Sequence, residues 1–216
     1  MNAAQTSYSG GVAPATLDWV AVPTLRSEVA AGLQLLSSMF LCKPSGDTLR
    51  GWQALLAEDM DGAWADLSSA LQAIDTKSEE VLDALVWDYT RLFVGPYKLP
   101  CPPWESVYTS PKRLMMQDAS DEVRKIYAEF GWAVDEANVM PDHIGAELHF
   151  LSLIIDGSGA ERGYVSGLVH IGERFLQDHL ERWVPQFTHD MEAAAETQFY
   201  KVLAATTRRI LDGLQH

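Results

Sequence analysis

Cysteine is scarce in this sequence, and a long apolar run is missing from it. Cys42 and Cys101 are its only cysteines, and they stand far apart in no metal-binding spacing. We therefore expect no disulfide framework and a reducing compartment, the cytoplasm. Residues 1–15 contain neither a basic residue nor an apolar core, so they do not resemble a secretory signal. The longest uncharged apolar run, 29–42, is shorter than the roughly 20 residues of a membrane span, so we expect no membrane insertion.

Basic residues are also few. The chain has 16 Lys and Arg against 30 Asp and Glu, which gives a formal net charge of −14. Nucleic-acid binding needs clusters of basic side chains, so nucleic acid is not an expected partner. The negative charge would attract a basic peptide, or it serves only to keep the protein soluble, and composition leaves both interpretations open.

Sequence motifs of the common enzyme classes are absent. The chain contains no G-x-x-x-x-G-K-[ST] phosphate loop, no G-x-G-x-x-G turn and no G-x-S-x-G nucleophile elbow. It also lacks the Glu-x-x-His pairs of di-iron helical bundles. We therefore expect no enzyme, no catalytic residue, no cofactor and no bound metal. The alternative is a metal-binding helical protein or hydrolase that uses His143 and Glu147, spaced i, i+4, with a distant histidine such as His170 or His179.

Helical periodicity runs through most of the chain after residue 15, and no run of residues alternates as a strand does. We predict an all-α fold, a single-domain bundle of about nine or ten helices over residues 16–216, preceded by a flexible tail at 1–15. A hinge-like loop at 95–107, rich in proline and aromatic residues, is the one predicted internal break. Pro185 is expected to separate the last two long helices.

One predicted helix spans 79–93 and opens with the capping-box pattern of Thr76 and Glu79. Tyr89, Leu92 and Phe93 lie in its broad apolar sector. Core packing accounts for this placement. Because the helix ends in the proline-rich loop, the same three side chains are also candidates for the rim of an apolar groove.

A second predicted helix begins at Pro141 and places polar groups in an apolar setting. Glu147 lies beside the apolar stripe of this helix, and a carboxylate there is costly unless it is paired. We expect its partner to be an internal Arg, Lys or hydroxyl, or a basic group of a ligand. Asp142 is expected to complement the helix N-terminus, and His143 to be partly buried. These segments together favour recognition of an extended or helical peptide.

Three segments of the chain resemble, in order and relative position, the motifs of a known family. They are Tyr-x-x-Leu-Phe-x-Gly-Pro at 89–96, Leu-Pro-x-Pro-Pro-Trp-Glu-Ser-Val-Tyr at 99–108 and Asp-His-x-x-x-Glu-Leu at 142–148. Over most of its length the chain is similar to the TorD/DmsD family of redox-enzyme maturation chaperones. That family often reads Glu-Pro-x-Asp-His. This chain reads Val-Met-Pro-Asp-His at 139–143, a form that resembles the related NarJ-like branch of nitrate-reductase chaperones.

The resemblance implies a cytoplasmic chaperone that binds the twin-arginine leader of a molybdopterin oxidoreductase subunit and assists cofactor insertion before export. The implied client is the catalytic subunit of a DMSO-reductase-class molybdoenzyme. Family positions implicated in leader binding correspond to Tyr89, Leu92, Phe93, Tyr97, Pro103, Trp104, Asp142 and His143. The oligomeric state stays open between monomer and homodimer, because a hinge loop can permit helix exchange.

The chemistry of such a leader, a basic region followed by an apolar stretch, suggests how it would bind. The residues expected to contact the apolar stretch are Leu92, Phe93, Tyr97 and Trp104. The arginines would be drawn to Asp142, Glu147 or Glu105, because bidentate pairing of guanidinium with carboxylate is strong. The competing interpretation is a general protein-interaction scaffold without leader specificity.

Overall fold

The computed structural model describes residues 23–56, 62–96, 98–157 and 162–214. These residues form ten α-helices and no strand, so the predicted all-α fold is confirmed for the part of the chain that is described. The helices are α1 (Pro23–Leu41), α2 (Gly46–Leu55), α3 (Ala65–Gln72), α4 (Glu79–Tyr89), α5 (Glu105–Thr109), α6 (Asp118–Glu129), α7 (Ile144–Asp156), α8 (Arg162–Phe175), α9 (Glu181–Ala194) and α10 (Gln198–Asp212). None of the helices within these ranges is both long and apolar enough to cross a membrane.

Two of the helices are extended by wider π turns. α4 continues into a π turn at Thr90–Val94, and α8 continues through a π turn at Leu176–Leu180 into α9. Widened turns of this kind are frequent at functional sites. Here they carry Leu92, Phe93 and His179, which are all candidates from the sequence.

The core is built around α1 and α7, which pack against each other extensively. Leu36 of α1 and Leu148 of α7 are fully buried. Gly145 permits the closest approach, because a Cβ atom at this position would lie 2.5 Å from Cγ of Leu41. The hydroxyl of Ser37 donates to the carbonyl oxygen of Gly145 at 2.6 Å and fixes the helices in register.

Replacing Gly145 with alanine is expected to lower the free energy of unfolding by about 1–3 kcal/mol, because the added methyl group overpacks the α1–α7 interface. Urea unfolding followed by circular dichroism measures this loss. Gly51→Ala in α2 is the matched control. A Cβ atom there meets nothing within 4 Å, so alanine should be neutral or stabilise the helix. Equal stability changes in the two variants would contradict the close contact at Gly145.

An aromatic cluster joins α1, the end of α4, α9 and α10. The ring of Phe93 packs against Phe40, Tyr89, Phe187 and Tyr200, with centroid separations of 6.0, 5.4, 6.4 and 5.8 Å. The hydroxyl of Tyr89 donates to the carbonyl oxygen of Phe40 at 3.2 Å. The apolar sector of the α4 segment is therefore part of the core, as its periodicity predicts.

A buried carboxylate holds the end of α4 against the start of α10. Asp88 is fully buried and accepts hydrogen bonds from the amides of Glu196 and Thr197 at 3.0 and 2.7 Å. It also accepts from the hydroxyl of Thr197 at 2.8 Å and from the guanidinium of Arg91 at 2.7 Å. Because Thr197 immediately precedes α10, Asp88 satisfies amides that the start of this helix leaves unpaired.

Two predicted helix starts are wrong in detail. α4 is capped by Ser78, whose hydroxyl accepts the amide of Val81, so Thr76 does not supply the cap. α7 begins after His143 rather than at Pro141, because the imidazole of His143 takes the capping position. Both differences arise because the cap is the side chain that reaches an unpaired amide, and several polar residues competed for that place.

The predicted break at Pro185 is also wrong. Pro185 lies inside α9, and the chain turns at 195–197 instead. A proline inside a helix removes one backbone hydrogen bond. The side chains of Trp183, Phe187 and Met191 are buried along one face of α9, and we infer that their burial outweighs this loss.

The predicted flexible tail at 1–15 and the candidate site residue Tyr97 lie outside the described residues. The single-domain boundary at residue 16 and the hinge at 95–107 stay predictions. Within that loop, the thiol of Cys101 is fully buried and lies 3.7 Å from the carbonyl oxygen of Leu92, so this part of the loop is packed against the end of α4.

Candidate functional site

The two principal sequence motifs meet at a short backbone clasp. The amide of Glu105 donates to the carbonyl oxygen of Asp142, and the first amide of α7 donates to the carbonyl oxygen of Pro103, both at 2.9 Å. Between these two bonds the backbones of Trp104 and His143 lie antiparallel and form an isolated bridge. Their rings meet edge to face, with centroids 6.3 Å apart. The clasp therefore places five predicted site residues side by side, from segments that are distant in the sequence.

Asp142 caps α5. Its Oδ2 accepts a hydrogen bond at 3.0 Å from the amide of Ser106, in the first turn of that helix. The expectation that Asp142 complements the N-terminus of its own helix, α7, is therefore wrong, because the clasp turns its side chain towards α5. Asp142 is buried, and its Oδ1 has no hydrogen-bond partner among the described residues.

His143 is a neutral cap rather than a cation. Its Nδ1 accepts a hydrogen bond at 3.0 Å from the amide of Gly145. Burial lowers the pKa of the imidazole to about 4, although the carboxylate of Asp142 acts in the opposite direction. At neutral pH the ring therefore carries no charge. Its Nδ1 lone pair is engaged by the α7 backbone.

Glu147 is fully buried, and its partner is an indole. The Nε1–H of Trp183 donates to Oε2 of Glu147 at 3.1 Å. The sequence predicted that Glu147 needs a partner, but it pointed to Arg, Lys or a hydroxyl. Burial raises the pKa of the Glu147 carboxyl well above its usual range, and the nearby acids Glu105 and Asp142 raise it further. The buried setting therefore favours the protonated form of Glu147.

Glu105 is also fully buried and is paired with a histidine from the second π turn. Nδ1 of His179 lies 2.9 Å from Oε2 of Glu105. The guanidinium of Arg182 lies further away, with Nη1 at 4.0 Å from Oε1. Sequence reasoning considered His179 only as a metal ligand and did not single out Arg182 or Trp183. The sequence does place His179, Arg182 and Trp183 within about one helical turn of each other, and this spacing was the available indication that they act together.

Glu105, Asp142 and Glu147 form a buried group that we call the carboxyl cluster. Burial raises the pKa of the neighbouring Tyr127, and the three acids raise it further. The hydroxyl of Tyr127 donates to the carbonyl oxygen of Pro141 at 3.0 Å. In each of the three carboxyl groups one oxygen is buried and accepts no hydrogen bond from an N–H or hydroxyl group in the part of the chain that is described. The carboxyls of Glu105 and Glu147 also hydrogen-bond to each other. Unpaired buried carboxylate oxygens are costly, and a guanidinium would satisfy two of them at once.

The other predicted site residues lie mostly in the core. Tyr89, Leu92 and Phe93 are buried, and so is Pro103, whereas Trp104 is half-buried. A peptide could touch the side chains of Leu92 and Phe93 only after a local rearrangement. Their predicted role in peptide binding stays a prediction, and Trp104 is the accessible aromatic of the clasp.

A cleft opens above His179, between α6 and the π turn at Leu176–Leu180. Its polar bay has a volume of about 530 Å³, and its lining includes Ile126, Asp178, His179 and Arg182. An adjoining bay of about 220 Å³ shares the first three of these residues and is walled by further apolar side chains. A larger cavity of about 660 Å³ lies elsewhere, between α1, α2 and α10, and it shares no residue with the predicted site.

The metal-binding alternative finds no support in this geometry. The described ranges contain no group of three or more His, Cys, Asp and Glu residues placed to hold a metal ion. His143 and Glu147, the suggested ligands, make their own hydrogen bonds to the α7 backbone and to Trp183. The fold and the site together define an all-helical protein with a buried acidic centre.

Comparison with known proteins identifies the family. The family model described as nitrate reductase delta subunit matches residues 53–189, which is more than half of the chain. The chain is 31% identical to the Tat proofreading chaperone DmsD of Salmonella typhi over 192 residues, covering 86% of this chain and 88% of that protein. The chain belongs to this family, and the resemblance to TorD/DmsD chaperones is confirmed.

One further curated relative agrees with this assignment, and one solved structure agrees with the fold. The chaperone protein TorD of Vibrio parahaemolyticus is 29% identical over 151 residues, covering 68% of this chain and 69% of that protein. A crystal structure of a candidate redox enzyme maturation protein from Archaeoglobus fulgidus superposes with a TM-score of 0.57. It is 23% identical and covers 85% of this chain and 92% of its own, so it supports the fold alone.

Proposed function

We propose that this chain is a cytoplasmic chaperone, not an enzyme, that binds the twin-arginine leader of a molybdopterin oxidoreductase subunit and assists cofactor insertion before export. The observation that carries the proposal is the carboxyl cluster, in which three buried acids each hold one oxygen that accepts no hydrogen bond from an N–H or hydroxyl group of the described residues. The names of the relatives, Tat proofreading chaperone and chaperone protein, support the same function.

Arginine is the ligand group that suits this cluster best. A guanidinium is planar, always charged and able to donate two parallel hydrogen bonds to a carboxylate. The net charge of −14 would also steer a basic leader towards the protein. We assign the leader arginines to Asp142, Glu147 and Glu105.

The apolar stretch of the leader is assigned to the clasp and the adjoining end of α4. Trp104 presents an accessible ring beside His143, and aromatic side chains are frequent centres of binding energy. We include Pro103, Tyr97, Tyr89, Leu92 and Phe93 in this surface as predicted contacts.

The client that we propose is the catalytic subunit of a DMSO-reductase-class molybdoenzyme. Curated relatives named DmsD and TorD support this class, although the family description refers to nitrate reductase and keeps a NarJ-like client as the alternative. The protein would act as a monomer or homodimer.

Calorimetric titration with a synthetic twin-arginine leader from a molybdoenzyme of the same genome tests the function. Micromolar or tighter binding is expected, and no binding to any such leader by the folded protein would overturn the proposal.

Asp142→Asn is expected to weaken binding of this leader roughly tenfold, because it removes charge near the arginines but keeps an oxygen for the amide of Ser106. Calorimetric titration gives the affinity, and circular dichroism checks the fold. Asp83→Asn, an exposed site on α4, makes the same charge change and should leave the affinity nearly unaltered. An equal loss with a leader whose arginines are replaced by glutamine would contradict the assigned contact.

A further inference from the structure

Arg182 lies at the entrance to the carboxyl cluster but is too far from Glu105 to hydrogen-bond to it. Its side chain is 52% exposed, whereas that of Glu105 is fully buried. One of its guanidinium nitrogens donates to the carbonyl oxygen of Asp178 at 3.1 Å and lies 4.0 Å from Oε1 of Glu105. That distance is too long for a hydrogen bond, and the Glu105 carboxyl is paired instead with His179 and with the carboxyl of Glu147. The carboxylate is attracted to this guanidinium but not satisfied by it.

The cleft above His179 approaches Glu105, which is fully buried and lines neither bay itself. His179 is almost fully buried, lines both bays of the cleft and is bonded to the other oxygen of Glu105. Arg182 lines the polar bay. The apolar bay beside it is bounded by Ile126, Phe130 and Phe175. The polar bay is lined also by Glu122, Lys125 and Asp178, and the apolar bay also by Glu129 and Arg174. A basic side chain of a peptide would meet the acids of the first bay, and a neighbouring apolar side chain the rings of the second.

We propose that Glu105, beneath His179, is a guanidinium-binding site that Arg182 partly occupies until an arginine of the leader displaces it. The displaced Arg182 side chain turns outward to solvent, and an apolar leader residue enters the bay at Phe130. This inference rests on the proposed function, because it names the route and the atoms by which the leader arginine reaches the carboxyl cluster.

Binding of a leader arginine at Glu105 is expected to release a proton from the carboxyl cluster. The groups that face Glu147 are Glu105 from α5, Asp142 from the clasp, Tyr127 from α6 and Trp183 from α9. His179 from the π turn and Arg182 from α9 face the neighbouring Glu105. Burial and the neighbouring acids raise the pKa of Glu147 and so favour the protonated form of its carboxyl. A guanidinium beside Glu105 favours the ionised form and releases that proton. Because binding releases a proton, leader affinity rises with pH until Glu147 is ionised in the unbound protein as well.

Arg182→Gln tests the displacement. Removing the resident guanidinium is expected to tighten leader binding roughly fivefold in calorimetric titration, the scale of one exposed ion pair. Arg50→Gln in α2 is the matched control, because Arg50 has the same 52% side-chain exposure and the same charge. The affinity of Arg50→Gln for the leader should stay within about twofold of that of the wild type. Unchanged or weaker binding by Arg182→Gln would overturn the inference.

The wild-type protein supplies a second test that needs no variant. Titrating the leader in phosphate and in Tris buffer, which differ in ionisation enthalpy, is expected to give different binding enthalpies and thus a net proton release. A leader with glutamine in place of both arginines should release none. Equal enthalpies in the two buffers would show that the arginines stay outside the carboxyl cluster.

The two proposals fail in different ways. If neither the wild type nor Arg182→Gln binds any leader, the proposed function is wrong and the inference falls with it. If the wild type binds the leader but Arg182→Gln gives the same affinity, the function stands and only the displacement at Glu105 is wrong.

Discussion

Replacing Asp88 with alanine is expected to lower the free energy of unfolding by about 3–5 kcal/mol, the cost of breaking a buried ion pair from one side. Asp88 is fully buried and accepts hydrogen bonds from two amides and one hydroxyl at the start of α10, and from Arg91. Without the carboxylate these donors lose their partner. Arg91 also donates to the carbonyl oxygen of Ala194 at 2.6 Å, so the end of α9 would loosen as well.

Urea unfolding followed by circular dichroism measures this effect. Asp83→Ala, on the exposed side of α4, is the matched control and should change stability by less than about 0.5 kcal/mol. Asp88→Asn keeps one acceptor oxygen and should fall between the wild type and alanine. If Asp88→Ala lost less than about 1 kcal/mol, water would be replacing the carboxylate, and the junction would not depend on it.

Replacing Trp104 with alanine is expected to weaken leader binding by about 2 kcal/mol, which is a roughly 30-fold rise in Kd. Trp104 is half-buried, its backbone lies in the clasp, and its ring packs edge-on to His143. It is therefore held in place before a ligand arrives, and a rigid aromatic ring contributes contact area at little entropic cost. The clasp hydrogen bonds use backbone atoms, so alanine should preserve them.

Calorimetric titration with the synthetic leader gives the affinity. Trp87→Ala is the matched control, because this ring is 62% exposed on α4 and its removal tests for non-specific apolar attraction. A large loss at Trp104 with little change at Trp87 would locate the leader at the clasp. Unchanged affinity in a folded Trp104→Ala variant would remove the clasp from the binding surface.

Helical periodicity predicted the fold well, because each helix buries one stripe of its own sequence. The apolar sector of α4 and the apolar character of α7 both correspond to buried faces. Capping and proline signals were less informative. Ser78 caps α4 and His143 caps α7, whereas the sequence pattern had assigned these helix starts to Thr76 and Pro141. α9 continues through Pro185, where a break was predicted. These outcomes depend on contacts with residues distant in the sequence, which a local pattern does not contain.

The candidate site was predictable in part. The sequence indicated that Glu147 must have a partner, since a carboxylate among apolar positions is costly. It did not indicate that Trp183 is this partner, or that His179 reaches Glu105, because these pairs come from helices distant in the sequence. The side chain of Asp142 likewise serves α5, a helix that no local pattern connects to it.

The sequence by itself determined the helical class, the negative charge, the lack of catalytic motifs and the family resemblance, because each is written in residue type and short-range spacing. The tertiary structure alone decided that Glu105, Asp142 and Glu147 share one buried cluster, that His143 is neutral and that Arg182 stands at the entrance. Protonation and pairing depend on burial and on partners from other helices, and only the packed chain brings these together.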